Sequence, residues 1–160
     1  MLEEQVILLV EDDENDLELL RQAFSKAGLE RALKAVRNGD EAIEYLAGRG
    51  AYADRAKFPL PFLVLLDLKM PGTDGFEVLQ WARSESQLKR LLIVVLTSSE
   101  LQADVDRAYE LGANSYLVKP VGFQEMVALI KRFEVYWTEM NRKPTAPTSA
   151  RTANPEASLA

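Results

Sequence analysis

Five short apolar-rich runs punctuate the chain at nearly regular intervals, and none of them has a clear polar face. They are VILLV (6–10), ALKAV (32–36), FLVLL (62–66), LLIVVL (91–96) and SYLV (115–118). Runs of this length that are apolar on both sides read as buried strands. The segments between them carry a helical period instead. Leu17, Leu20, Phe24 and Ala27 form one stripe, closed by Gly28. Residues 40–47 follow Asn38-Gly39, and residues 76–83 follow Gly75. Residues 100–111 follow Ser99, which stands at capping-box spacing from Gln102, and stop at Gly112. Residues 123–139 place Met126, Ile130, Phe133 and Trp137 on one stripe. The order is therefore strand–helix five times over. Strands buried on both faces and joined by helices imply a doubly wound α/β fold, a five-stranded parallel sheet covered on both sides.

The body spans residues 1–142. Residues 143–160, KPTAPTSARTANPEASLA, hold three of the seven prolines and no glycine or aromatic, and read as a disordered tail. One connection is unusually long, GRGAYADRAKFPLP (48–61). Its Gly48-Arg-Gly50 start fits a loose dinucleotide fingerprint, but that motif must follow a strand and open a helix, and this one follows a helix.

Absences exclude several chemistries. The 160 residues contain no Cys and no His. Disulfides, thiolate metal sites, thiol nucleophiles, imidazole catalysis and phosphohistidine within this chain are excluded. Nineteen basic against 25 acidic residues give a net charge of −6, which argues against nucleic acid and anionic lipid as partners. No run is long enough to span a bilayer, and the acidic start MLEEQ is unlike a signal peptide, so the expected compartment is the cytoplasm.

In such a sheet the ligand site lies outside the carboxyl ends of the strands. The first strand ends in Glu11-Asp12-Asp13, the third in Asp67, the fourth in Thr97-Ser98-Ser99 and the fifth in Lys119-Pro120. Carboxylates meeting in one crevice need a compensating cation, and a hydrated Mg²⁺ suits a site with few protein ligands. Acids, a hydroxyl and an ammonium together point to phosphoryl chemistry, with Asp67 as nucleophile and Thr97 and Lys119 as contacts to the phosphoryl oxygens. Each feature alone has an ordinary structural explanation as a cap or turn. Their occurrence in order along one sheet edge is what carries weight. Asp13 reads as helix-start charge.

LLVEDD (8–13), LLDLKMPGTDG (65–75), VVLTSS (94–99) and GANSYLVKP (112–120) together resemble the receiver domain of two-component response regulators, over residues 5–140. The resemblance implies the flavodoxin/CheY-like (βα)5 fold with strand order 2-1-3-4-5. It implies Asp67 as phosphoacceptor for a sensor histidine kinase. Glu11, Asp12, Asp67 and the Lys69 backbone carbonyl would hold Mg²⁺. Thr97 and Lys119 would contact the phosphoryl group, Tyr116 would act as the aromatic switch, and the Lys119–Pro120 bond would be cis. Glu11 stands where Asp is common, and Lys69 and Ser99 stand at positions that tune dephosphorylation. Such a chain is a stand-alone phosphoacceptor signalling protein, which also loses its phosphoryl group, and is not classed as an enzyme. It signals through the face of its fourth helix, fifth strand and fifth helix.

The long loop before the third strand, GANSYLVKPV (112–121) and EVYW (134–137) are similar to the small regulators paired with bacterial phytochromes. That narrower resemblance implies a phytochrome-type kinase as partner and formation of homodimers. Leu129, Val135 and Tyr136 lie beyond the main stripe of the last helix, which marks either a partner surface or a broad buried face. Three other readings compete with this one. Haloacid-dehalogenase-type phosphatases want a second Asp where Lys69 stands. Flavodoxin-like flavin carriers want a hydroxyl-rich loop where Glu11–Glu14 stand. A receiver that binds partners without phosphorylation remains the alternative, with the intact set of site residues against it.

Overall fold

A computed structural model describes residues 5–145. Most of the expected tail, residues 146–160, lies outside the described residues. Five parallel strands form one sheet in the order β2-β1-β3-β4-β5. They are β1 (Ile7–Val10), β2 (Leu33–Val36), β3 (Leu63–Leu66), β4 (Leu92–Thr97) and β5 (Ser115–Val118). The helices are α1 (Glu14–Lys26), α2 (Gly39–Ala47), α3 (Gly75–Ser84), α4 (Gln102–Glu110) and α5 (Phe123–Val135).

Strand alternation divides the core in two. Leu8, Val10, Val64, Leu66, Ile93 and Val95 face the layer of α2, α3 and α4, together with Tyr45, Phe76, Leu79 and Ala108. Ile7, Leu9, Leu63, Leu65, Val94 and Leu96 face the layer of α1 and α5, with Leu20, Phe24, Met126, Ile130 and Trp137. This is why β1 and β3 are apolar throughout and β4 is apolar up to Thr97: successive residues enter alternate cores.

The helix starts follow from local chemistry. Asp13, Asn38 and Asp74 are N-caps whose side chains accept hydrogen bonds from Asp16, Glu41 and Glu77 N–H, at 2.9, 2.8 and 2.9 Å. Asp13 therefore plays the helix-start role expected of it. Start α4 differs from the expectation. It begins at Gln102, Leu101 is its N-cap, and no side chain caps it. Ser99 forms no capping box, because its hydroxyl donates instead to Asp104 at 2.6 Å. Helix α5 ends at Val135, and residues Tyr136–Met140 make a wider π turn that keeps Trp137 buried. Leu129 packs on the core, whereas Val135 and Tyr136 are exposed.

The 48–61 connection is a small folded unit. Tyr45, Tyr52 and Phe58 pack ring to ring with centroids 5.1–6.0 Å apart. Arg55 donates to the Tyr45, Leu46 and Phe58 carbonyls, so it satisfies the end of α2 that would otherwise face water. The Lys119–Pro120 bond is trans, as are all described peptide bonds, which corrects the cis expectation. Trans is the ordinary preference, and here it still delivers the Lys119 side chain to the acids.

Candidate phosphoacceptor site

Parallel strands in register bring their carboxyl ends to one edge. Val10, Leu66 and Val95 are aligned across β1, β3 and β4, so Glu11 and Asp67 emerge side by side. Backbone bonds fix both: Glu11 N–H donates to Val36 O, and Asp67 N–H donates to Val10 O, each at 3.1 Å. Lys119 N–H donates to Thr97 O at 2.7 Å, which ties the end of β5 to the end of β4.

Glu11, Asp67 and Thr97 are the three buried polar side chains of the described residues. Lys119 Nζ pairs with Glu11 Oε2 at 2.5 Å, Asp16 Oδ2 at 2.9 Å and Asp67 Oδ2 at 3.3 Å. Carboxylate oxygens of Glu11, Asp12 and Asp67 lie within 4.8 Å of one another. Three carboxylates thus pair with one ammonium, and a fourth, Asp12, lies beside two of them. Burial lifts the Glu11 carboxyl from its ordinary 4.5 to about 7, with the Asp67 charge adding to the rise and Lys119 opposing it. Burial pushes Lys119 down, but its carboxylate partners outweigh that and hold it above its ordinary range, so it stays charged.

A divalent cation fits this arrangement. Glu11 Oε2 is buried, and its cationic partner Lys119 is shared with Asp16 and Asp67. An all-oxygen, acid-rich donor set suits a hard cation. Asp12, half-buried at the rim, completes the three-acid group.

Around the site a second set of contacts links it to α4 and β5. Lys69 Nζ pairs with Asp104 at 3.1 Å. The hydrogen bond from Ser99, and then Lys69, hold the Asp104 carboxyl below its ordinary range. Thr97 Oγ1 accepts from Ser99 N–H at 3.5 Å, and the Tyr116 hydroxyl donates to Ser99 O at 2.9 Å. The sheet edge therefore brings together Glu11, Asp12, Asp67, Thr97 and Lys119, with Lys69 and Tyr116 beside them. Sequence reasoning missed Asp16 and Asp104. An acid in the first turn of a helix is ordinary, and no spacing rule marked either as a partner of a site lysine.

Residues 7–131 match the model of the response regulator receiver domain. The chain belongs to this family. It is 36% identical over 142 residues to the response regulator Rcp1 of Synechocystis, covering 89% of this chain and 95% of Rcp1. It is also 36% identical over 144 residues to the probable methanogenesis regulatory protein FilR2 of Methanothrix harundinacea, covering 87% of each. The crystal structure of the phosphorylated cyanobacterial phytochrome response regulator RcpA superimposes with a TM-score of 0.80 at 34% identity, covering 88% of this chain and 99% of RcpA. The Mn²⁺-bound form of Rcp1 gives a TM-score of 0.77 at 35% identity, over 88% and 99% of the two chains. The chain is thus a receiver of the two-component type with phytochrome-associated relatives. Among the described residues no helix is long and apolar enough to cross a membrane.

Proposed function

We propose that this chain is a phosphoryl-accepting receiver whose acceptor is Asp67 and whose donor is a sensor histidine kinase. The observation that carries the reading is the junction of Asp67 and Lys119 at 3.3 Å, on a sheet edge that also holds Glu11, Asp12 and Thr97. An Asp67 carboxylate oxygen bonds to phosphorus as the donor's phosphohistidine P–N bond breaks, its electron pair leaving with the imidazole. Lys119 and the Thr97 hydroxyl then take positions on the phosphoryl oxygens. Hydrolysis by water returns Asp67 and inorganic phosphate.

Glu11, Asp12, Asp67 and the Lys69 carbonyl would hold Mg²⁺, which supplies charge neutralisation for the developing phosphoryl oxygens. Thr97 reaches Ser99 N–H, and Ser99 O accepts from Tyr116, so a shift of Thr97 is felt at β5. Tyr116 is the switch in this reading, and the α4–β5–α5 face is the output. Phosphorylation shifts the population between two states because the phosphoryl oxygens contact Thr97 and Lys119 in only one of them.

RcpA, as a phytochrome response regulator, supports a phytochrome-type kinase as partner. The cytoplasm is the compartment that such a partner requires of the kinase-facing domain. Exposed Val135, Tyr136 and Met140 on the α5 side support homodimers. The receiver body is residues 1–142, and residues 143–160 are its tail.

The test is phosphotransfer. A phosphorylated phytochrome-type kinase, mixed with this chain and Mg²⁺, should pass its label to the wild type and not to Asp67→Asn. Labelling of Asp67→Asn would move the acceptor elsewhere. Binding of the kinase without any transfer would favour the phosphorylation-independent module.

A further inference from the structure

Asp16 contacts the most heavily shared group of the site and has no part in the reaction described above. It lies in the first turn of α1 and is held there by its N–H, which donates to the Asp13 carboxylate at 2.9 Å. Its Oδ2 accepts a hydrogen bond from Lys119 Nζ at 2.9 Å, shorter than the 3.3 Å between Lys119 and Asp67. The Asp16 side chain is 41% exposed and that of Lys119 only 8%. Lys119 is nearest to the buried Glu11, at 2.5 Å, and Asp16 is the one exposed carboxylate among its three partners, on the α1 side.

An ammonium has three donors and no acceptor, and here it is divided among three carboxylates. A phosphoryl group on Asp67 brings additional negative charge and further acceptor oxygens to the same spot. Lys119 then has to serve both the new oxygens and Asp16. We propose that Asp16 is a positioning residue that holds Lys119 toward α1 and so limits how firmly Lys119 grips the phosphoryl oxygens on Asp67. The inference rests on Asp67 being the acceptor.

Charge removal with little change of shape isolates the effect. Asp16→Asn frees Lys119 of one charged partner, so the site should bind a phosphoryl-like anion more tightly. A unit charge this close, in a partly exposed site, is worth roughly three- to tenfold in affinity. The probe is beryllofluoride in the presence of Mg²⁺, followed by ¹⁹F NMR, which reads binding without any turnover. Asp16→Glu restores the charge and should return the affinity toward wild type. Glu14→Gln is the control. Glu14 shares the first turn of α1 but pairs with Arg37 at 2.7 Å and makes no contact with Lys119.

A gain for Asp16→Asn with none for Glu14→Gln supports the inference. Equal affinities for wild type and Asp16→Asn overturn it, and so does an equal gain in Glu14→Gln, which would mean diffuse charge and not positioning. Failure of the wild type to bind beryllofluoride overturns the acceptor reading itself, and this inference with it.

Discussion

Glu11 is the residue at which burial and charge conflict most sharply. Its carboxyl is almost fully buried, and burial pushes it up to about 7. The sign of the consequence is fixed by linkage. Between about 4.5 and about 7 the folded chain holds a proton that the unfolded chain has released. The stabilising contribution is therefore complete below the unfolded value and lost as the pH rises through the folded one. Without divalent ions, urea unfolding should show stability falling from about pH 5 to about pH 8, and Glu11→Gln should flatten that fall. Mg²⁺ should restore more stability at the higher pH, because it binds the ionised carboxylates. A flat profile in the wild type would contradict this account of Glu11. At this scale the sequence showed the acids, hydroxyl and lysine clearly, since each ends a strand. It did not show Asp16 or Asp104, whose roles depend on where two helix starts sit against Lys119 and Lys69.

The elements succeed because backbone approaches backbone closely around Asp67. Gly75 opens α3 directly against the end of β3, and its N–H donates to Leu68 O at 3.1 Å. A Cβ at Gly75 would stand 2.2 Å from Asp67 O and 2.8 Å from Leu68 Cα. Both are backbone atoms, so the loop carrying Asp67 must move. Gly75→Ala should cost about 1–3 kcal/mol in urea unfolding and slow the labelling of Asp67. Gly28→Ala is the contrast. Gly28 has a φ of 79° in open space, so that variant should lose about 1 kcal/mol and label normally. Normal labelling and stability in Gly75→Ala would refute the close-packing account. Strand and helix order were legible because periodicity reports burial. The start of α4 was not, because Ser99 had two available uses, and Asp104, five residues on, won its hydroxyl. The end of α5 was missed for a related reason: the apolar stripe continues through Trp137 while the backbone widens into a π turn.

At the scale of the whole molecule, the chemistry sits at one sheet edge, and of the seven large exposed apolar side chains among the described residues five lie beside β5 and α5, the other two being Leu101 and Tyr109 at α4. Val118, Val121, Val135, Tyr136 and Met140 are exposed there, and β5 is an edge strand. Light scattering should show self-association that weakens in Tyr136→Arg, at a stability cost of about 1 kcal/mol from the lost edge-to-face contact with Trp137. A monomer at every concentration, with or without phosphorylation, would remove the homodimer from the account. The central claim is simpler, that Asp67 is where a phosphoryl group goes. The most direct measurement is intact mass after incubation with acetyl phosphate and Mg²⁺, followed by borohydride trapping and peptide mapping. The account predicts one phosphoryl group, dependent on the metal, trapped at residue 67 and absent from Asp67→Asn. A phosphoryl group trapped at any other residue, or gained equally by Asp67→Asn, would contradict it.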